Sequence, residues 1–174
     1  MLVGPPAAGK TSFVRALVRD RRIDSDVVVS SDEIRAGLAA SAPTGLDPAQ
    51  VDGWIFEERD RRVFALLTEG RHAIAESTNV TRAARARLMA VARDVGVSVT
   101  VLRFDVGQDD LLRQHAERDR SDVSAAEIRE YAAIMASDAG VDQLYSEGAA
   151  AVHDVPGRRQ GFTPDMAAAG FVFC

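Results

Sequence analysis

Gly4-Pro5-Pro6-Ala7-Ala8-Gly9-Lys10-Thr11 decides how the rest of this 174-residue chain reads. The octet fits G-x-x-x-x-G-K-[ST], the Walker A motif or P-loop that wraps nucleotide phosphates. Lys10 is the only lysine in a chain with 21 basic residues. Arginine therefore serves everywhere except where a compact ammonium must reach the β- and γ-phosphates. Gly4 and Gly9 permit backbone angles and close approach that a Cβ forbids. Amides from Ala7 to Thr11 suit phosphate oxygens at the positive end of the following helix. Thr11 offers its hydroxyl to Mg²⁺. The expected ATP contacts are Gly4, Ala7, Ala8, Gly9, Lys10, Thr11 and Ser12.

The flanks give the motif its required context. Met1-Leu2-Val3 is apolar and reads as a strand, and Ser12–Arg19 reads as an amphipathic helix. Three residues make a short strand, which suggests a start upstream of Met1. Further out, apolar runs alternate with helical patterns. Residues 26–30 form a buried-strand candidate, and Ser31 or Asp32 is placed to cap a short helix through Leu38. A loop over 40–48 precedes a helix from about Pro48 to Glu69. A strand over 72–76, a helix over 82–95 closed by Gly96, and the β-branched strand 97–104 follow. Helices over about 108–118 and 124–138 lead to a last strand over 149–155. Strands separated by helices imply an α/β fold with a parallel sheet covered on both faces. Residues 1–155 read as one P-loop domain with a lid at about 113–123. The Gly/Ala-rich tail 156–174 carries no assignable element.

Composition narrows the class. At 18.7 kDa the chain suits one domain. No apolar run approaches the roughly 20 residues of a membrane span, and residues 1–20 are the P-loop unit rather than a signal peptide. The single cysteine, Cys174, leaves no intrachain disulfide or Cys-built zinc site. A cytoplasmic protein is the natural expectation. The net charge of −5 argues against a general nucleic-acid coat, but not against an enzyme gripping one strand end with a few arginines.

A P-loop alone says only that a nucleoside triphosphate is bound. Ser30-Ser31-Asp32-Glu33-Ile34-Arg35 says more, because it lies just past the second strand, where α/β sheets bind ligands. Asp32 and Arg35 are one helical turn apart. The carboxylate suits an attacking hydroxyl's proton, and the guanidinium suits a phosphate on the acceptor. The plainer reading is a helix cap and a solvated arginine.

With these stretches in view, the chain resembles the polynucleotide 5′-kinases of phage and bacterial RNA-repair systems, within the wider group of small P-loop kinases. The resemblance runs over roughly residues 1–155. Ser31–Arg35 is similar to the family's D-x-x-R, and Glu76-Ser77-Thr78-Asn79-Val80 to its D-A-T-N. Arg113-Gln114-His115-Ala116-Glu117-Arg118-Asp119-Arg120 is similar to its arginine-bearing lid, and Glu147-Gly148 precedes the last strand as in many relatives. The resemblance implies ATP and Mg²⁺ as cofactors at Lys10 and Thr11. It implies Asp32 as general base, Arg35 on the acceptor's phosphate, Arg113 as a further ATP contact, and a second lid arginine clamping the donor. Glu76 departs from the usual Asp and Gln114 from the usual Asn. Arg118 and Arg120 compete for the clamp, the seven-residue offset from Arg113 favouring Arg120.

Other residues read as structural. His72, His115 and His153 have no metal-ligand spacing, and Trp54 and Phe56 read as core rather than base-stacking residues. Arg59, Arg61 and Arg62 with Glu57, Glu58 and Asp60 read as a solvated helix face. Arg158-Arg159 reads as a flap near the nucleobase or a surface loop. The expected acceptor is a nucleic-acid 5′-hydroxyl or a hydroxyl on a modified base in DNA. A small hydroxyl-bearing substrate such as a nucleoside, sugar, antibiotic or nucleotide-sugar is the alternative. An NTP-hydrolysing switch is a third reading, weakened because Ala75-Glu76-Ser77 matches a Walker B strand poorly.

Overall fold

The computed structural model describes residues 1–39, 47–117 and 123–173. Five short parallel strands form the centre: β1 (Leu2–Val3), β2 (Val28–Ser30), β3 (Ile74–Glu76), β4 (Thr100–Arg103) and β5 (Ala151–Asp154). Eight helices connect and follow them: α1 (Lys10–Arg19), α2 (Ser31–Ala39), α3 (Pro48–Thr68), α4 (Arg82–Val95), α5 (Gln108–Ala116), α6 (Ala125–Asp138), α7 (Val141–Ser146) and α8 (Pro164–Ala169). β4 pairs with both β1 and β5, with Leu2 opposite Leu102 and Thr100 opposite Ala151, while β2 pairs with β3, Val28 opposite Ile74. Gly4 N–H donates to Thr78 O at 2.9 Å and the Asn79 amide donates to Leu2 O at 2.8 Å. These two bonds fasten the exit of β3 to β1, giving the order β2-β3-β1-β4-β5 across the molecule.

Apolar residues from both sides cover the strands. Phe13 and Leu17 of α1 pack with Phe104, Leu111 and Ile128 in one cluster. Met89, Met135 and Leu144 meet Val3 and Val101 in a second, and Ile55, Val63 and Leu88 meet Val29 and Ala75 in a third. All the predicted strands and helices are present, with shifted ends. The strand expected over 26–30 begins as a 3-10 turn at Ser25–Val27, and that expected over 97–104 shrinks to β4. Ser31 and Asp32 do not cap α2 from outside; they are its first two residues, and the Ser30 hydroxyl faces Glu33 N–H at 3.5 Å. Helix α7 was not foreseen.

The segment after Pro156, featureless as sequence, is anchored to α1. Ala167 and Ala168 of α8 are buried, and the Phe171 ring meets Phe13 edge-on at 5.4 Å. Arg22 donates to Phe171 O at 2.8 Å, and Arg19 pairs with Asp165 at 2.9 Å.

Two buried arginines brace the frame. Arg85 donates through Nε and Nη2 to the two carboxylate oxygens of Glu147 at 2.6 and 2.7 Å, and also donates to the carbonyls of Asn79, Val80 and Asp138. The glutamate before the last strand is therefore the partner of a buried cation. Arg59, expected on a solvated face, is fully buried. It donates to Asn79 Oδ1 at 3.0 Å and pairs with Asp60 at 2.6 Å. Burial pushes its pKa down, with Asp60 opposing. Arg61 and Arg62 match the expectation, both pairing with Glu58 at 2.7 Å on the exposed face. Trp54 does not sit in the core but is 45% exposed, whereas Phe56 lies 5.0 Å beneath the Arg59 guanidinium.

Candidate active site

The loop between β1 and α1 is shaped by two glycines acting for different reasons. A Cβ at Gly4 would stand 2.7 Å from Phe104 Cβ and 3.1 Å from Phe104 O, so Gly4 serves close approach. Gly9 has room around it but a φ of 92°, the left-handed region where a side chain is strained. Ala7 also takes a positive φ, 65°, so the loop reverses twice within three residues. That geometry sets Gly9 as the N-cap of α1 and leaves the first helical amides facing the loop's interior. Lys10 is buried and donates to Gly4 O at 2.8 Å and Pro5 O at 2.7 Å. Its ammonium thus ties the two ends of the loop together.

Glu76 is the residue that sequence reasoning undervalued. It ends β3, is buried, and lies near enough to the Thr11 hydroxyl and the Lys10 ammonium for both to act on its carboxyl. Burial raises its carboxyl pKa; the Thr11 hydroxyl and the Lys10 charge pull the other way, and Asp32 and Glu33 push it up further. One carboxylate thus joins the P-loop, β3 and the start of α2. The available signal was its position, a carboxylate closing an apolar strand two residues after Ile74, discounted because a Glu followed by Ser stands where Asp is usual. A hydroxyl and a carboxylate are hard oxygen donors and suit Mg²⁺, which keeps waters and substrate phosphates for the rest of its shell. Among the described residues no cluster of three or more His, Cys, Asp or Glu forms a fuller metal site.

Asp32 sits in the first turn of α2, exposed and within electrostatic reach of Glu76. Ser31 and Ser77 hydroxyls touch one another behind it, closing β2 onto β3. Arg35, one turn on, pairs with Asp52 of α3 at 2.6 Å, both side chains about half exposed. Asp52, Glu127 and Glu130 raise the pKa of half-buried Tyr131 after burial itself, with Arg35 opposing. Arg35 therefore stands amid several carboxylates contributed by α3 and α6.

On the opposite flank of the loop, Arg113 is exposed and pairs with Asp110 at 3.2 Å. It shares a recess with Gln114, Arg158 and Arg159. Ser12 lines a neighbouring cleft with Ala8 and Gly9. Arg118 and Arg120 fall outside the described residues. His72, His115 and His153 lie apart on a strand approach, α5 and β5.

The profile of a family described as an AAA domain matches residues 1–137. A solved structure from Chloroflexus aurantiacus J-10-fl, described as a "putative kinase", is similar with a TM-score of 0.67 at 16% identity, over 97% of this chain and 90% of that one. A likeness at that identity speaks to the fold, a P-loop NTPase sheet flanked by helices. No curated protein matches the sequence. No described helix is long and apolar enough to cross a membrane.

Proposed function

The chain belongs to the AAA domain family, and on that premise we propose that it is an ATP-dependent phosphotransferase moving the γ-phosphate onto a hydroxyl. The observation that carries this reading is the meeting of donor and acceptor chemistry at one sheet edge. Lys10, Thr11 and Glu76 gather at the phosphate loop, with Asp32 beside them at the head of α2. Transfer of this kind rests on positioning and charge neutralisation. Lys10 and the loop amides hold the β- and γ-phosphates. Thr11 and Glu76 would hold Mg²⁺, which when bound neutralises charge between those phosphates. Asp32 accepts the proton of the acceptor hydroxyl as its oxygen bonds to the γ-phosphorus and the bond to ADP breaks. Arg120, or else Arg118, spreads charge from the lid.

The preferred acceptor is a polynucleotide 5′-hydroxyl, supported by the spacing of Asp32 and Arg35 and by the resemblance of the motifs. A small-molecule acceptor is the second reading, favoured by the Arg35–Asp52 pair, which must open before Arg35 can hold a phosphate. Radiolabelled-ATP transfer across 5′-hydroxyl DNA and RNA, 3′-mononucleotides, nucleosides and sugars tests both. Label should pass to one acceptor class, with slow hydrolysis when none is present. Rapid hydrolysis indifferent to acceptor would point to a switch ATPase instead.

A further inference from the structure

The parts of the proposed site stand on two separate ladders of strands. Lys10 and Thr11 follow β1, which pairs with β4. Asp32 follows β2 and Glu76 ends β3, and those two strands pair with each other. Among the described residues no ladder joins β3 to β1. Whatever bridges that seam therefore sets the gap between the phosphate loop and Glu76, where Thr11 and Glu76 are to share one metal ion.

Asn79 bridges it. The residue is buried, and its backbone takes a φ of 47°, a left-handed turn that asparagine tolerates better than most side chains. Around this turn, Thr78 O accepts from Gly4 N–H at 2.9 Å, and Asn79 Nδ2 donates to Leu2 O at 2.8 Å. Both bonds land where β1 passes into the phosphate loop.

The bridge is held from behind. Arg59 Nη1 donates to Asn79 Oδ1 at 3.0 Å, while Nε and Nη2 go to Asp60 at 2.9 and 2.6 Å, so all three nitrogens are committed. Arg87 holds the other oxygen of Asp60 at 2.7 Å, and Arg85 donates to the Asn79 carbonyl at 3.2 Å. A guanidinium can only donate, so it takes the amide's oxygen and leaves the NH₂ for Leu2 O. Arg59 thereby decides which way the asparagine faces.

We propose that Asn79 is a positioning residue, a clasp oriented by Arg59 that sets the gap between the phosphate loop and Glu76 and so shapes the metal site between them. The inference rests on the phosphotransfer reading above, in which Thr11 and Glu76 hold Mg²⁺. It adds a residue that acts on that pair through the backbone of β1 and β3.

Calorimetry of ATP binding with Mg²⁺ and with EDTA separates the clasp from the loop. Metal-free ATP reports the phosphate loop, and the gain in affinity on adding Mg²⁺ reports the alignment of Thr11 with Glu76. Asn79→Asp still accepts from Arg59 but cannot donate to Leu2 O. It should cut the Mg²⁺ gain about tenfold, the scale of losing an outer-shell partner of a metal site, and leave metal-free ATP affinity unchanged. Asn79→Gly keeps the positive φ without strain and should do the same. Arg59→Lys should lose in the same direction, because one ammonium cannot replace the fork that serves both Asn79 and Asp60. Melting curves establish that each variant is folded; should Asn79→Gly not fold, Asn79→Asp and Arg59→Lys decide alone. A Mg²⁺ gain that survives in the folded variants overturns the clasp. So does an equal loss with and without Mg²⁺, which would make Asn79 a general support of the loop. If the unmodified protein binds no ATP, or binds it alike with and without Mg²⁺, the phosphotransfer reading falls and the clasp falls with it.

Discussion

The donor and acceptor sides of the proposed catalytic edge are built differently. On the donor side, Lys10 and Glu76 are buried, and Lys10 is bonded to two carbonyls of its own loop. Asn79 behind them is pinned by Arg59 and by Leu2 O. On the acceptor side, Asp32 is exposed, and Arg35 is held by a single half-exposed ion pair. Phosphate binding asks the same geometry of every nucleotide, so its residues repay rigid support from several strands. Acceptor recognition must differ between proteins of one fold, and the residues proposed for it here lie on surface helices whose ion pairs cost little to rearrange.

That asymmetry predicts unequal consequences of mutation. Lys10→Ala should have the largest effect, a loss of about 10³-fold in phosphoryl transfer, the scale of removing a preorganised charge-stabilising donor. No second lysine exists to take its place. Steady-state assays near wild-type activity would sink the assignment of the loop. Asp32→Asn comes next, at about 10²-fold or more, the usual contribution of a positioned general base. Here the comparison sharpens, because ATP affinity by calorimetry should stay near normal. Weakened ATP binding in that variant would move Asp32 to the donor side and leave the base unassigned.

The donor side was the legible one, and the reason is chemical. A P-loop writes its glycines, lysine and hydroxyl in one contiguous stretch, and Gly96 ends α4 through local geometry alone. The supports behind the loop were not legible, because they depend on which of twenty arginines turns inward. A signal existed: Ile55, Arg59 and Val63 recur every four residues on α3, and Arg85 shares a stripe with Leu88, Met89 and Ala92. Each places an arginine on a buried face, where burial without a partner is costly. Helix α8 escaped notice for another reason. Six residues are too few to show a period, and such a helix owes its stability to packing, here against α1. Asp52 could not be foreseen as Arg35's partner, since α3 alone decides which carboxylate arrives there.

Glu76 offers a test in which stability and function part company. Burial raises its folded-state pKa, so the folded protein holds that proton more tightly than the unfolded chain. The resulting penalty is present above the raised pKa and fades as pH falls through it toward the unfolded value. Glu76→Gln should therefore raise Tm at neutral pH. The gain should shrink on acidification. Turnover should fall about tenfold or more, because the carboxylate facing Thr11 is lost. A melting temperature that drops at neutral pH would mean that the Thr11 hydroxyl and the Lys10 charge outweigh desolvation.

The smallest effect is expected at Arg35 and Asp52, and it bears most directly on the acceptor. Both side chains are about half exposed, so a double-mutant cycle on stability should return a coupling below about 1 kcal/mol. The functional readout is more discriminating than the energy. Asp52→Asn leaves Arg35 in place but removes the carboxylate that competes with an incoming phosphate. If the acceptor carries a phosphate next to its hydroxyl, Asp52→Asn should lower KM for it, and Arg35→Ala should raise KM for the same compound. For a phosphate-free acceptor neither change should move KM in opposite directions. Opposed shifts confined to phosphorylated acceptors would favour a polynucleotide end. Equal, small losses across all acceptors would mark the pair as a brace between α2 and α3, and leave the small-molecule reading in front.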